Sequence, residues 1–190
     1  MMSFQENKFY NVLPPKLKTR IVEESLTRYY DKFEYFFVDK NSRSLPDKVF
    51  VRKILSSLQP KVYMPGNPIV HAGQYFNEMY FISKRDVLVS DLFLRFNIAK
   101  LTEGSFFGEH ELLFNVPSQF NYSASDQFDK SENKESKYYG AVWIFTCSKQ
   151  VFIKYCEEFQ DFSLFLRQRA VLRRSFWRKI ELELYTYQSH

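Results

Sequence analysis

Cysteine is scarce in this chain of 190 residues, which has only two thiols, Cys147 and Cys156. Their spacing fits neither a disulfide framework nor a pair of metal ligands, so we expect a reduced, cytosolic setting. Histidine is also sparse, and no histidine has companions at the spacing of metal ligands. We therefore expect no metal site at any of the three, His71, His110 and His190.

The sequence also lacks a set of side chains suited to nucleophilic catalysis. Ser118 has no histidine near it in sequence, and His110 fits better as part of a short helix. No run of about eighteen apolar residues is present, and no secretory segment opens the chain. We expect a non-catalytic domain that is soluble as given and can still be a piece of a membrane protein.

Aromatic residues are abundant, with 21 Phe and 13 Tyr in a chain that is 45% hydrophobic. This is enough apolar material for one compact domain with a helical appendage. The formal net charge is +5, and the excess is concentrated on one predicted C-terminal helix. A solvated helix face is the favoured interpretation, with acidic lipid, nucleic acid or an acidic partner as alternatives. The basic residues are Arg167, Arg169, Arg173, Arg174, Arg178 and Lys179.

The most informative motif runs from Glu103 to Leu113 and places a glycine and a carboxylate at the start of a short helix. Gly108 lets the backbone approach a ligand closely, and Glu109 can accept hydrogen bonds from ribose hydroxyls. The amides that open the segment Glu109 to Phe114 would face an anion. The alternative is an ordinary strand-to-helix turn in which glycine is only a turn residue.

Three upstream features stand before this motif in a fixed order, Pro65-Gly66, Gly73 and the run Met79 to Ile82. In this order, the motifs resemble those of cyclic-nucleotide-binding domains, in which the glycine–glutamate motif belongs to the phosphate-binding cassette. The resemblance implies an α+β fold, an antiparallel, jelly-roll-like β-roll with a cassette helix and C-terminal lid helices. We expect a helical linker over residues 1–60 and the roll with its helices over residues 61–190.

The chain departs from this pattern after the cassette helix. Ligand-binding members carry an arginine that pairs with the cyclic phosphate, and Ser118 stands in its place, with Phe120 where a small residue is usual. A hydroxyl does not replace the charge of a bidentate guanidinium. At ~1.5–3 kcal/mol for a charged hydrogen bond, nucleotide affinity should be roughly ten- to hundredfold weaker or lost. A second departure is Arg85, which replaces a turn glycine and predicts a changed turn type.

A cyclic nucleotide, cAMP or cGMP, is therefore a possible ligand that binds weakly or not at all. The resemblance implies three sets of contact residues. Phe107, Gly108 and Glu109 would make the ribose and backbone contacts. Ser118 and Asn121 would contact the phosphate, and Leu94, Ala99 and Val142 would line the base.

Two N-terminal segments begin with leucine and proline and continue with apolar residues at helical spacing. They resemble the later half of the C-linker of voltage-gated and cyclic-nucleotide-gated cation channels, which joins the pore to a cytoplasmic ring of four subunits. Kinase regulatory subunits usually have an arginine-rich inhibitory segment and two tandem rolls, and neither is seen. The apolar positions are Leu17, Ile21, Val22 and Leu26 in the first segment, and Val49, Ile54, Leu55 and Leu58 in the second.

We therefore expect the cytoplasmic regulatory domain of a tetrameric voltage-gated or cyclic-nucleotide-gated cation channel of the potassium-selective type, with other channel subunits as partners. Ligand binding or an intrinsic segment would shift the population of lid positions, and the linker would transmit the change to the pore. Two alternatives remain open. One is a soluble cyclic-nucleotide sensor that regulates a kinase, and the other is an assembly domain whose pocket is plugged by Tyr185 or Tyr187.

The expected order of elements begins with helices at Pro14–Phe37 and Pro46–Leu58, followed by strands from Lys61 to Ala99. After the cassette helix we expect strands at Phe120–Ala124 and Ala141–Thr146, separated by a polar, mobile loop at residues 125–137. Final helices should start at Ser148 and Asp161. The last helix should have an apolar side formed by Phe162, Phe165, Leu166, Ala170, Leu172 and Phe176.

Overall fold

The computed structural model describes residues 14, 17, 24, 27–38, 47–127 and 138–188. Most of the predicted first helix lies outside the described residues, as do Leu45 and Pro46 of the second leucine–proline motif. Residues 128–137 of the predicted loop also lie outside them. No helix in the described ranges is both long enough and apolar enough to cross a membrane.

The N-terminal part of the described chain is helical. Helical backbone over residues 27–32 passes through a turn at Phe33 into α1 (Glu34–Phe37), and α2 (Lys48–Ser56) follows. Asp47 caps α2, since its carboxylate accepts hydrogen bonds from the N–H groups of the next turn. The inward side of α2 carries Phe50, whereas the predicted Val49 is 57% exposed. The predicted apolar face of this segment was therefore wrong at Val49.

The β-roll consists of two antiparallel four-stranded sheets in the described residues, with the strand orders β1-β8-β3-β6 and β2-β7-β4-β5. The predicted α+β class is confirmed. The strands and their intervening helix are β1 (Gln59–Tyr63), β2 (Pro68–Val70), β3 (Glu78–Lys84), β4 (Val87–Ser90), β5 (Asn97–Leu101), β6 (Phe106–Phe107), α3 (Glu109–Phe114), β7 (Asn121–Ala124) and β8 (Val142–Ser148).

The turn between β3 and β4 is centred on Arg85, which has φ 70°. This value is in the left-handed region that disfavours residues with a side chain. Arg85 thus adopts the backbone conformation that glycine would favour. The prediction that arginine changes the type of this turn, so that it no longer needs a positive φ, was wrong. Strand β3 next to this turn is almost wholly buried between β8 and β6.

Aromatic rings join the N-terminal helical segment to the roll. Phe36 packs edge-on against Phe81 of β3 and Phe106 of β6, with ring centroids 4.9 Å apart in each case. Phe33 also contacts Phe81, at 5.3 Å. Phe33, Phe36, Phe81 and Phe106 are all buried, so the hydrophobic core extends across residue 60 into the helices before the roll.

Two helices complete the fold, α4 (Lys149–Glu158) and the 29-residue α5 (Gln160–Gln188). Ser148 caps α4 by accepting a hydrogen bond from the N–H of Val151, as the sequence predicted. On α5 the inward side chains include Leu166, Ala170, Trp177 and Glu181. Two residues of the predicted apolar side face solvent instead, since 71% of Leu172 and 61% of Phe176 are exposed.

Candidate functional site: the cassette helix and the lid helix

Gly108 precedes α3, which we call the cassette helix, and has φ 98°. A Cβ atom at this position would stand 2.7 Å from the Phe76 ring and 3.2 Å from the carbonyl oxygen of Glu78. Both the positive φ and the close neighbours therefore require glycine. This turn fixes the direction in which Glu109, the next residue, leaves β6 and enters the helix.

Glu109 is held by α5, which we call the lid helix because it lies over the cassette helix. Its carboxylate Oε1 pairs with Nη2 of Arg173, and Nη1 of Arg173 donates to the carbonyl oxygen of Phe106 at 2.9 Å. Only 2% of Glu109 is exposed, and Oε2 has no hydrogen-bond partner in the described part of the chain. The carboxylate expected to meet ribose is therefore bound by the protein's own helix.

A second pair lies directly beside the first. The carboxylate of Glu111 is 3.7 Å from Nη1 of Arg174, and Glu111 is only 3% exposed. The Arg174 guanidinium lies 4.3 Å from the centre of the Phe120 ring. Both of its Nη atoms are buried and have no hydrogen-bond partner among the described residues. Two successive lid arginines thus face two carboxylates of the cassette helix.

The electrostatics of this cluster are dominated by burial. Burial and the neighbouring Glu109 raise the pKa of Glu111 to about 7, although Arg174 and Arg173 oppose this shift. Burial and the charges of the same two arginines lower the pKa of His110 to about 4. At neutral pH the imidazole is therefore uncharged, and Glu111 is close to its midpoint of ionisation.

The arginines of α5 turn towards the domain, so the predicted solvated basic face was wrong for four of them. Arg167 donates to the carbonyl oxygen of Leu113 at 2.8 Å, at the end of the cassette helix. Arg169 donates to the carbonyl oxygen of Tyr35 at 2.6 Å and lies 4.1 Å from the Tyr35 ring centre. Together with the two pairs above, these contacts fasten the lid helix to the cassette helix and to α1.

Ser118 and Asn121 are both buried, and both bond to backbone groups. Ser118 Oγ donates to the carbonyl oxygen of Phe120 at 2.7 Å, and the Ser118 N–H donates to that of Gln74 at 2.8 Å. Asn121 accepts from the N–H of Ala72 and donates to the carbonyl oxygen of Asp91. In this state, their side chains hold the loops around the cassette together.

The other predicted site residues lie in three different environments. Phe107 is fully buried and stacks between the rings of Tyr80 and Tyr122, with centroids 4.7 and 4.6 Å away. Leu94 is 67% exposed on the turn between β4 and β5, with φ 57°. Ala99 is half-buried on β5, and Val142 is fully buried on β8 in the other sheet.

The far end of the lid helix docks on the β4–β5 turn. Asp91 is fully buried and accepts hydrogen bonds from the N–H groups of Arg95 and Phe96 at 2.6 and 2.8 Å. Tyr185 donates its hydroxyl to Asp91 and packs edge-on against Phe96. The other predicted plug residue, Tyr187, is 84% exposed.

Trp177 of the lid helix packs against aromatic rings of the roll. It is 6% exposed and contacts the rings of Phe120 and Tyr122, at 5.8 and 6.5 Å. Beyond it a cleft of about 590 Å³ opens between the lid helix, the β4–β5 turn and the loop at Ser118. The lid helix therefore covers the inner part of the site and leaves an opening near its C-terminal end.

The residues missed from sequence are Glu111, Arg173, Arg174 and Trp177. The sequence did carry a signal for the two ion pairs. Glu109 and Glu111 are two carboxylates in one helical turn. Arg173 and Arg174 are two adjacent cations on a helix predicted to cover the pocket. Pairing them required knowing how that helix is rotated, which the spacing does not specify.

No family model matches the chain, and no curated protein matches it. Solved structures do match. Over 86% of this chain, cAMP-bound PfPKA-R aligns with a TM-score of 0.59 at 19% identity. The chain has the fold of a cyclic-nucleotide-binding domain.

Two further structures have the same cyclic-nucleotide-binding fold. PKAR CBD2 bound to Sp-2Cl-cAMPS aligns over 86% of this chain with a TM-score of 0.59 and 18% identity, and 93% of that structure is covered. The regulatory domain of Toxoplasma gondii PKA with cAMP aligns over 85% of this chain with a TM-score of 0.60 and 16% identity. The chain spans about half of this last structure and of PfPKA-R, with 54% and 49% covered.

Proposed function

We propose that this chain is a regulatory, non-catalytic domain in which the lid helix couples a cyclic-nucleotide-type pocket to the helices before the β-roll. The proposal rests on the observation that one helix contacts both the cassette helix and α1. Arg173 of the lid helix pairs with Glu109 of the cassette helix, and Arg169, one turn earlier, bonds to Tyr35 of α1. Movement of the lid helix therefore changes contacts at both places.

The physical basis is competition for a carboxylate. A ligand hydroxyl that takes Oε1 of Glu109 must displace the Arg173 guanidinium, whereas Oε2 has no hydrogen-bond partner among the described residues. A ligand that binds the two lid positions with different affinity shifts their populations, and the contact at Tyr35 changes with the lid. Without such a difference, binding would have no regulatory effect.

The proposed ligand class is a cyclic nucleotide, cAMP or cGMP, bound weakly. The three similar structures are bound to cAMP or to Sp-2Cl-cAMPS, which supports this class. Weak binding follows from Ser118, whose hydroxyl bonds to a backbone carbonyl and which supplies no positive charge. Arg173 also favours weak binding, because a nucleotide that takes Oε1 of Glu109 has to break an existing ion pair.

The proposed setting is the cytoplasmic region of a tetrameric voltage-gated or cyclic-nucleotide-gated cation channel, of the potassium type. The C-linker-like order of the N-terminal segments supports it, and α1 lies where the lid helix can act on it. Other subunits of the channel would be the partners. The likeness to PKA regulatory structures favours a second candidate, a soluble sensor that regulates a kinase.

A third candidate is an assembly domain that binds no ligand and keeps its pocket closed with its own side chains. The pair between Arg173 and Glu109 favours this candidate, because it satisfies part of the ligand-binding carboxylate internally. Calorimetric titration of the purified chain with cAMP and cGMP separates these possibilities. Saturable heat that Glu109→Ala abolishes supports a sensor, and no heat up to millimolar ligand supports the assembly domain.

The coupling itself is tested by hydrogen exchange of the chain and of Arg169→Ala. We expect faster exchange over residues 27–38 in the variant, because it loses the bond to Tyr35 and the ring contact. Lys179→Ala is the matched control, since the Lys179 side chain is 76% exposed and pairs with Glu183 on the same helix. Equal exchange of residues 27–38 in the chain and both variants would contradict the coupling.

A further inference from the structure

Arg174 is the least satisfied charged side chain of the buried cluster. Its side chain is only 11% exposed, and both Nη atoms lack a hydrogen-bond partner in the described ranges. A buried guanidinium without hydrogen bonds is unfavourable unless an anion compensates it. The carboxylate of Glu111, 3.7 Å away, is the anion that the chain supplies.

This arrangement lies on the cassette itself. Arg174 stacks on Phe120, two residues after Ser118, and Glu111 lies two residues after Glu109. A ligand whose sugar reached Glu109 would bring its phosphate to this neighbourhood, where the cassette has Ser118 and no cation of its own. Two cations of the lid helix lie in this region, and each already faces a carboxylate. Arg178 lines the cleft with Ser118 and pairs with Glu181, and the more deeply buried Arg174 faces Glu111.

We propose that Glu111 is a built-in anion that occupies Arg174 in place of a ligand phosphate, and that it selects against phosphate-bearing ligands. This inference rests on the proposed nucleotide-type pocket and specifies which residue limits its affinity. A phosphate and the Glu111 carboxylate carry like charge and compete for one guanidinium, so the pocket discriminates by charge. A neutral nucleoside does not meet this repulsion.

Protonation of Glu111 removes the competing charge. The ionisable groups around it are Glu109 and His110 on the same helix, Arg173 and Arg174 on the lid helix, and Tyr122 on β7. The buried tyrosine stays neutral at ordinary pH, since its pKa is raised, and His110, with a pKa of about 4, is uncharged near pH 7. Glu111, whose pKa is raised to about 7, is therefore a group whose protonation near pH 7 makes Arg174 available to a phosphate.

The test compares cAMP with adenosine, its neutral counterpart without the phosphate, by calorimetry on the chain and on Glu111→Gln. At pH 8, where Glu111 with its pKa of about 7 is mostly ionised, removing this charge should raise cAMP affinity roughly tenfold and leave adenosine binding unchanged. Glu103→Gln is the matched control, because Glu103 is a half-exposed carboxylate that pairs with Lys32 away from the lid helix. It should change neither affinity.

Glu111→Gln removes the carboxylate that pairs with Arg174 and leaves only the weaker interaction with Glu181 among the charges that compensate it in the described residues. The double variant Glu111→Gln/Arg174→Met therefore controls for an effect on folding. It removes both charges and should lose the gain in cAMP affinity while staying folded by circular dichroism. The unmodified chain gives an independent measurement, since its cAMP affinity should rise several-fold from pH 8 to pH 6. That rise should be absent in Glu111→Gln.

Three outcomes would overturn the inference. Equal cAMP affinity in the chain and in folded Glu111→Gln is one, and a gain that persists in the double variant is another. If the chain shows no binding, Glu111→Gln/Ser118→Arg should acquire it, and its failure to do so is the third. None of these depends on whether Arg169→Ala uncouples residues 27–38, so failure here and failure of the coupling proposal are distinguished.

Discussion

Tyr185 donates its hydroxyl to the buried carboxylate of Asp91 at 2.6 Å, across 94 positions of sequence. Burial alone would raise the pKa of Asp91, but the hydrogen bonds from Tyr185 and from the backbone of the β4–β5 turn lower it below its ordinary value. The lid helix is therefore anchored at two separated points. Arg173 holds it at the cassette helix, and Tyr185 holds it at the β4–β5 turn.

Removing the second anchor should release the end of the lid helix without unfolding the domain. In Tyr185→Phe we expect faster amide exchange over residues 181–188 and unchanged exchange over α4, because the helix end then loses its bond to Asp91. Tyr187→Phe is the control, since Tyr187 is 84% exposed. Exchange that rises equally in both variants would mean that the hydroxyl of Tyr185 anchors nothing.

Removing the first anchor should have a larger effect on stability. Arg173→Ala leaves Glu109 buried without its cation, and breaking a buried pair from one side costs roughly 3–5 kcal/mol of unfolding free energy. Urea denaturation measures this loss. Lys179→Ala removes an exposed pair and should change stability by no more than about 0.5 kcal/mol. Similar losses in the two variants would contradict a buried anchor.

Local signals predicted much of the fold. Gly108 has a positive φ, a backbone conformation that glycine adopts readily. Ser148 caps α4, as predicted for a serine directly before a helical segment. Each of these features depends on neighbours within a few residues, which is the range in which sequence is most informative. The order of such local signals carried the resemblance to cyclic-nucleotide-binding domains, and that resemblance implied an antiparallel roll with flanking helices.

The rotation of each helix was harder to predict. On the lid helix, Phe176 and Trp177 are adjacent aromatic residues about 100° apart around the axis, and either could have faced the roll. Packing against Phe120 and Tyr122 selects Trp177. The inward turn of Arg173 and Arg174 follows from the same rotation. Long-range packing therefore decided which residues form the candidate site.

The glycine of the cassette gives a sharp test of the local geometry. Gly108→Ala adds a Cβ 2.7 Å from the Phe76 ring at a positive φ, so strain and overpacking together should cost about 3 kcal/mol or more. Gly66→Ala is the matched control, since Gly66 has φ 76° and, apart from its chain neighbours, none of the described residues lies within 4 Å of a new Cβ. It should lose only about 1 kcal/mol. Equal losses, measured by thermal or urea unfolding, would mean that contact with Phe76 does not matter.

The last prediction concerns pH and the buried Glu111. Burial and the neighbouring Glu109 raise the pKa of Glu111 from 4.5 to about 7 on folding. The folded state therefore holds this proton more tightly than the unfolded chain does. The resulting stability is complete below about pH 4.5 and is lost as pH rises through about 7, a difference of roughly 3 kcal/mol.

Urea denaturation at pH 5 and pH 8 measures this difference when the chain is compared with Glu111→Gln. Relative to the variant, the chain should be more stable at pH 5 than at pH 8 by an amount of this order. His110 acts in the opposite direction, because its lowered pKa makes acid destabilising, but it is present in both proteins and cancels to first order. If the two proteins showed parallel pH profiles, Glu111 would have to be either solvated or fully compensated by Arg174.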